Sequence, residues 1–132
     1  VRVQQFNLAD ADVGRLSMAL VDAATVIFAS PNVLNGMHPK VVYAAYLTNA
    51  LRVKAKYTTV IGSFGWAVKM ETQLKSLLSG LKMTYLETVT KSGLPDSDTF
   101  RQLDMLADQV AECHQKLCAE QESVEAGAQT AS

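Results

Sequence analysis

At 132 residues the chain has the size of one domain, and with 48% hydrophobic against 19% charged residues it can bury a core without disulfide or metal support. Twelve basic and 13 acidic residues give a formal net charge of -1, which excludes strong electrostatic attraction to nucleic acid. No apolar run approaches the roughly 18 residues of a membrane span, and residues 1–10 lack a signal-peptide pattern, so a soluble cytoplasmic chain without a membrane partner is expected.

Val1, Val3, Phe6 and Leu8 alternate loosely with Arg2, Gln4 and Gln5, which predicts a half-exposed strand at a sheet edge. The sequence starts at Val1 where an initiator Met would stand, so a beginning downstream of a translation start is expected. Asp10 and Asp12 are capping candidates for a helix over residues 13–22, whose Val13, Leu16, Leu20 and Val21 follow at helical spacing. Thr25, Val26, Ile27, Phe28 and Ala29 form a continuous β-prone run, as in a parallel strand buried on both faces. The turn-rich segment from Ser30 to His38 then leads to Pro39, which suits the first turn of a helix reaching about Leu51.

The same unit recurs. Residues 57–61 read as a second buried strand, Gly62 to Trp66 as a tight loop, and residues 67–78 as an amphipathic helix closed by Gly80. A last strand is predicted over residues 83–89, a turn over residues 92–96, and a long helix through Phe100, Leu103, Leu106, Val110 and Leu117. After about Glu120 the residues are small and polar without period, which predicts a frayed tail over 121–132 following one domain over 1–120. Strands alternating with helices in this rhythm predict an α/β fold, a parallel sheet covered by helices on both faces. In open sheets of this kind the loops at strand carboxyl ends line the ligand crevice.

Two of those loops carry a resemblance. Ala29-Ser30-Pro31-Asn32-Val33-Leu34-Asn35-Gly36-Met37-His38-Pro39 is similar to the G-S-P-T-x-x-N-G-x-x-P flavin loop of flavodiiron proteins, with Ala29 and Asn32 as departures. Gly62-Ser63-Phe64-Gly65-Trp66 is similar to their G-S-[FY]-G-W loop, and Lys91-Ser92-Gly93-Leu94-Pro95 resembles, with one extra residue, the K-G-x-P turn before the last helix. Three motifs in one order across nearly the whole chain are far more specific than any alone.

The resemblance implies a three-layer flavodoxin-like domain that holds FMN through Ser30, Pro31, Asn32, Val33, Leu34, Asn35, Gly36, Ser63, Phe64, Gly65 and Trp66. It implies an oxidoreductase component moving electrons from a rubredoxin-like protein or flavin reductase toward a di-iron partner domain. The physics agrees: a flat ring with apolar faces and a polar rim needs a stacking wall, for which Trp66 and Leu34 are candidates, and backbone N–H groups approached closely at Gly36 and Gly65. Two departures matter. Nothing in the chain corresponds to the first strand and phosphate-gripping loop of such domains, which makes the domain incomplete at its N-terminus, and Ala67-Val68 replaces the usual glycines after Trp66.

The absent strand motivates an alternative, a cofactor-free binding or assembly module whose sheet closes by pairing residues 3–8 with residues 25–29 or borrows a strand in a homo-oligomer. Other side chains have plainer readings. Cys113, His114 and Cys118 on one helix do not converge as metal ligands, the two cysteines point in different directions, and His38 beside Pro39 reads as a helix-entry residue. Arg52, Lys54 and Lys56 read as a solvated turn, with docking of an acidic redox partner as the sharper reading. No catalytic triad, phosphate-binding Gly-rich loop or pair of catalytic carboxylates is present in the sequence.

Overall fold

The computed structural model describes residues 1–65 and 69–130. Among them run α1 (Val13–Asp22), β1 (Thr25–Val33), β2 (Gly36–Met37), α2 (Pro39–Ala50), β3 (Tyr57–Phe64), α3 (Met70–Leu77), β4 (Thr84–Tyr85), β5 (Val89–Ser92) and α4 (Ser97–Thr130). β3 is the centre of the sheet. It pairs in parallel with β1 on one side and with both β4 and β5 on the other, while β2 folds back antiparallel on the end of β1. The fold is therefore α/β, with a parallel sheet between helices.

Burial explains the order. Thr58, Thr59 and Val60 are consecutive and all buried, as a central strand covered on both faces requires. The two hydroxyls are satisfied across the sheet: Thr58 Oγ1 donates to the Val26 carbonyl at 2.9 Å and Thr59 Oγ1 to the Glu87 carbonyl at 2.9 Å. On β1, Val26, Phe28 and Ser30 face the layer of α1, α2 and α3, where Leu16, Leu20, Val41, Ala44, Ala45, Met70, Leu74 and Leu78 complete the main core. Fully buried Leu74, Leu78 and Met70 each contribute about 2 kcal/mol by leaving water. Among the described residues the opposite face is covered by α4, through Leu103, Leu106, Val110 and Cys113 against Tyr57, Ile61, Leu86 and Val89. Burial and the neighbouring Cys113 thiol push the Tyr57 phenol up from its ordinary value.

Three expectations are corrected. Residues 1–8 form no strand, and Val1 and Val3 are exposed; only Phe6 and Leu8 reach the core, before Asn7 turns the chain by accepting the Ala9 N–H through Oδ1 at 3.0 Å. Among the described residues no strand lies beside this segment to take its backbone groups, so it forms no ladder and does not pair with β1. Secondly, both loops expected after the first two buried strands are partly strand. β1 runs to Val33 and β3 to Phe64, so Ser30, Pro31, Gly62 and Ser63 belong to the ladder. Thirdly, the last strand is broken around residues 86–88 into β4 and β5, and α4 continues helical to Thr130 although residues 118–129 are exposed.

Candidate functional site

The carboxyl ends of three strands meet in one row. Pro31 of β1 is paired with Ser63 of β3, and Ser63 with Lys91 of β5, so each of the three sequence motifs contributes one residue to the same line across the sheet. Beyond this row the Gly93 N–H donates to the Phe64 carbonyl at 3.2 Å, and Gly93 takes a positive φ of 77°, which turns the third motif back over the second.

The first motif is a hairpin rather than an open loop. Val33 faces Gly36 and Asn32 faces Met37, with Leu34 at φ 48° and Asn35 at φ 67° as its two turn residues. Two positive φ values in a two-residue turn are the geometry that matches strand twist. Ser30 is buried, and its hydroxyl is engaged within the motif: it donates to the Pro31 carbonyl at 2.8 Å and accepts the His38 N–H at 2.7 Å. Pro31, Val33, Leu34 and Asn35 are exposed, and Leu34 is 93% exposed. Among the described residues Asn32 Oδ1 is buried without a hydrogen-bond partner, and a buried amide oxygen of this kind calls for a donor.

In the second motif Ser63 and Gly65 are exposed and Phe64 is half-buried. A Cβ added at Gly65 would meet no atom of the described residues within 4 Å. Gly62 is different: a Cβ there would stand 2.5 Å from both the Ser30 carbonyl oxygen and Met70 Cε, so the missing side chain is what lets β1, β3 and α3 close together. Trp66, expected as the stacking wall, lies outside the described residues together with Ala67 and Val68. The bare Gly36 also admits Gln73: a Cβ at Gly36 would stand 2.7 Å from Gln73 Oε1. Gln73 has no place in the three motifs, and its Oε1 accepts the Met37 N–H at 2.7 Å.

At α1 Asp12 accepts the Arg15 N–H, at α2 His38 accepts the Lys40 N–H, and at α4 Asp96 accepts the Thr99 N–H, so these helix N-termini are already filled by side chains. α3 carries Glu71 in its first turn, which repels an anion. Clefts of about 360 Å³ beside Lys54, Lys56 and Lys82, and about 330 Å³ beside Leu16 and Tyr43, have no wall residue from the hairpin 30–38 or from residues 63–65. Among the described residues no three His, Cys, Asp or Glu side chains gather as a metal site, and no helix is long and apolar enough to cross a membrane.

No family model and no curated protein sequence matches the chain. Solved structures do. The Flv1 flavodiiron core from Synechocystis sp. PCC6803, metal soaked, superposes over 88% of this chain with a TM-score of 0.79 at 21% identity. Rubredoxin oxygen:oxidoreductase from the anaerobe Desulfovibrio gigas matches over 72% with a TM-score of 0.66 at 28% identity, and a flavodoxin from the domain Archaea over 80% with 0.64 at 18%. The fold is flavodoxin-like. This flavodoxin-like chain spans 29% and 24% of the lengths of the first two structures and 72% of the flavodoxin. The edge of β1 along residues 25–31 has no strand partner among the described residues.

Proposed function

We propose that this chain is an FMN-binding electron-transfer domain, resembling the flavodoxin domain of flavodiiron oxygen and nitric oxide reductases. The row Pro31–Ser63–Lys91 carries the reading, because it gathers three separately placed motifs at the strand ends where open α/β sheets bind ligands. Asn32 Oδ1, without a partner among the described residues, offers an acceptor beside the row, no described atom crowds Gly65, and Leu34 offers apolar cover from the hairpin tip. FMN, when bound, supplies the redox chemistry, while the protein orients the ring and tunes its potential through these contacts. A rubredoxin-like protein or a flavin reductase is the donor this reading names, and a di-iron domain the acceptor. The exposed Val33, Leu34 and Ser63 leave such a partner a direct approach. Titrating FMN into the purified protein and following flavin fluorescence and the visible spectrum tests the proposal: quenching with a shifted absorption band is expected, and free-flavin behaviour at all concentrations rejects it.

The unpaired edge of β1 favours a second reading, a cofactor-free assembly module that completes its sheet with a strand of a second copy. A strict monomer in sedimentation across a wide concentration range would remove this reading.

A further inference from the structure

We propose that Gln73 is the positioning residue that ties the two flavin-facing motifs into one unit, a role that rests on the FMN reading. Gln73 stands in the first turns of α3, the helix that follows the second motif, and its own N–H donates to the Lys69 carbonyl at 2.9 Å. Its side chain reaches across to the first motif, where Oε1 accepts the Met37 N–H at 2.7 Å. The same oxygen occupies the place a Cβ of residue 36 would need, so Gly36 and Gln73 are matched: one lacks a side chain where the other inserts. One helical turn earlier, Met70 packs into the space left by Gly62. A single stretch of α3 therefore holds both β3, at Gly62, and the hairpin, at Gly36 and Met37.

The hairpin needs such an anchor. β2 has two residues, and its turn places Leu34 in a left-handed conformation, so local pairing alone holds it weakly. Asn32, whose buried oxygen has no partner among the described residues, is the register partner of Met37. Fixing the Met37 amide from α3 thus fixes the strand that presents Asn32, and ordering this strand before ligand arrives reduces what binding must spend on it.

The test compares Gln73→Leu, which removes the acceptor at similar volume, with Gln73→Glu, which keeps an oxygen acceptor. Gly36→Ala serves as a second variant that displaces the Gln73 side chain without altering α3. FMN affinity is read by flavin fluorescence, and exchange of the Met37 amide is read in the flavin-free protein. The loss of one hydrogen bond that orders the site is expected to weaken FMN by about tenfold in Gln73→Leu and Gly36→Ala, with faster Met37 exchange in both and recovery in Gln73→Glu. Unchanged FMN affinity in both Gln73→Leu and Gly36→Ala overturns the positioning role. Should the unaltered protein take up no FMN, the flavin reading fails and the binding role falls with it. Met37 exchange then still decides whether Gln73 holds the hairpin: acceleration in Gln73→Leu supports that hold, and no change removes it.

Discussion

Leu34 occupies a backbone region that a branched apolar residue adopts at a cost, and at 93% exposure it recovers nothing by burial. Strain of this kind persists where surrounding contacts enforce it and gathers at sites that bind something. Leu34→Asn, which tolerates positive φ, is expected to stabilise the flavin-free protein by about 1 kcal/mol in urea unfolding. The same substitution should weaken FMN, since the apolar cover goes with it. Equal or lower stability would show that the turn stores no strain. At the same scale the Ser30 hydroxyl binds its loop to itself, and the bare Cα positions of Gly36 and Gly62 admit Gln73 and Met70.

Among the elements, α4 shows most clearly how a single cap places a helix. Asp96 accepts from Lys91 Nζ at 2.6 Å, from the Thr99 N–H at 2.9 Å and from Thr99 Oγ1 at 2.8 Å, so the carboxylate that starts α4 is also tied to the end of β5. The Lys91 ammonium first, and the Thr99 amide and hydroxyl after it, hold the Asp96 carboxyl far below the usual carboxylate range. Because the folded value is depressed, this stabilisation is fully present above the ordinary carboxylate pKa of about 4 and declines as pH falls toward the folded value. Asp96→Asn should therefore lower the melting temperature at pH 7 by about 3 °C, and the gap to the unaltered protein should narrow below about pH 4. A gap independent of pH would show that the charge plays no part. Farther along, His114 Nε2 lies 2.8 Å from Thr25 Oγ1, which pins the middle of α4 to the start of β1. No local pattern announced that contact, for the two residues are 89 positions apart.

The molecule as a whole is unevenly clothed. Three helices cover one face of the sheet and α4 covers part of the other, which leaves Ile27 43% exposed and Ala29 exposed on β1, beside the strand's unpaired edge. An uncharged, β-prone edge of this sort invites strand addition. Ile27→Lys places a charge on it without emptying the core, so it should leave the thermal midpoint nearly unchanged and reduce concentration-dependent association in sedimentation. Association that persists unaltered in Ile27→Lys would place the contact elsewhere.

Apolar runs and turn formers were enough to place α1 to α4, the parallel strands β1 and β3 and the three motifs in chain order, but not β2 or the break between β4 and β5, because such signals reside in neighbouring residues. α1 and α2 fall almost where helical spacing and capping residues put them, at Val13–Asp22 and Pro39–Ala50. Tertiary structure alone decided that Ser30 and Ser63 would lie within strands, that residues 1–8 would find no ladder, and that Gln73 would hold Met37 from 36 positions away. Pairing register and side-chain reach depend on what lies opposite in space. A residue's neighbours along the chain do not specify that partner until the sheet and α3 have brought it near.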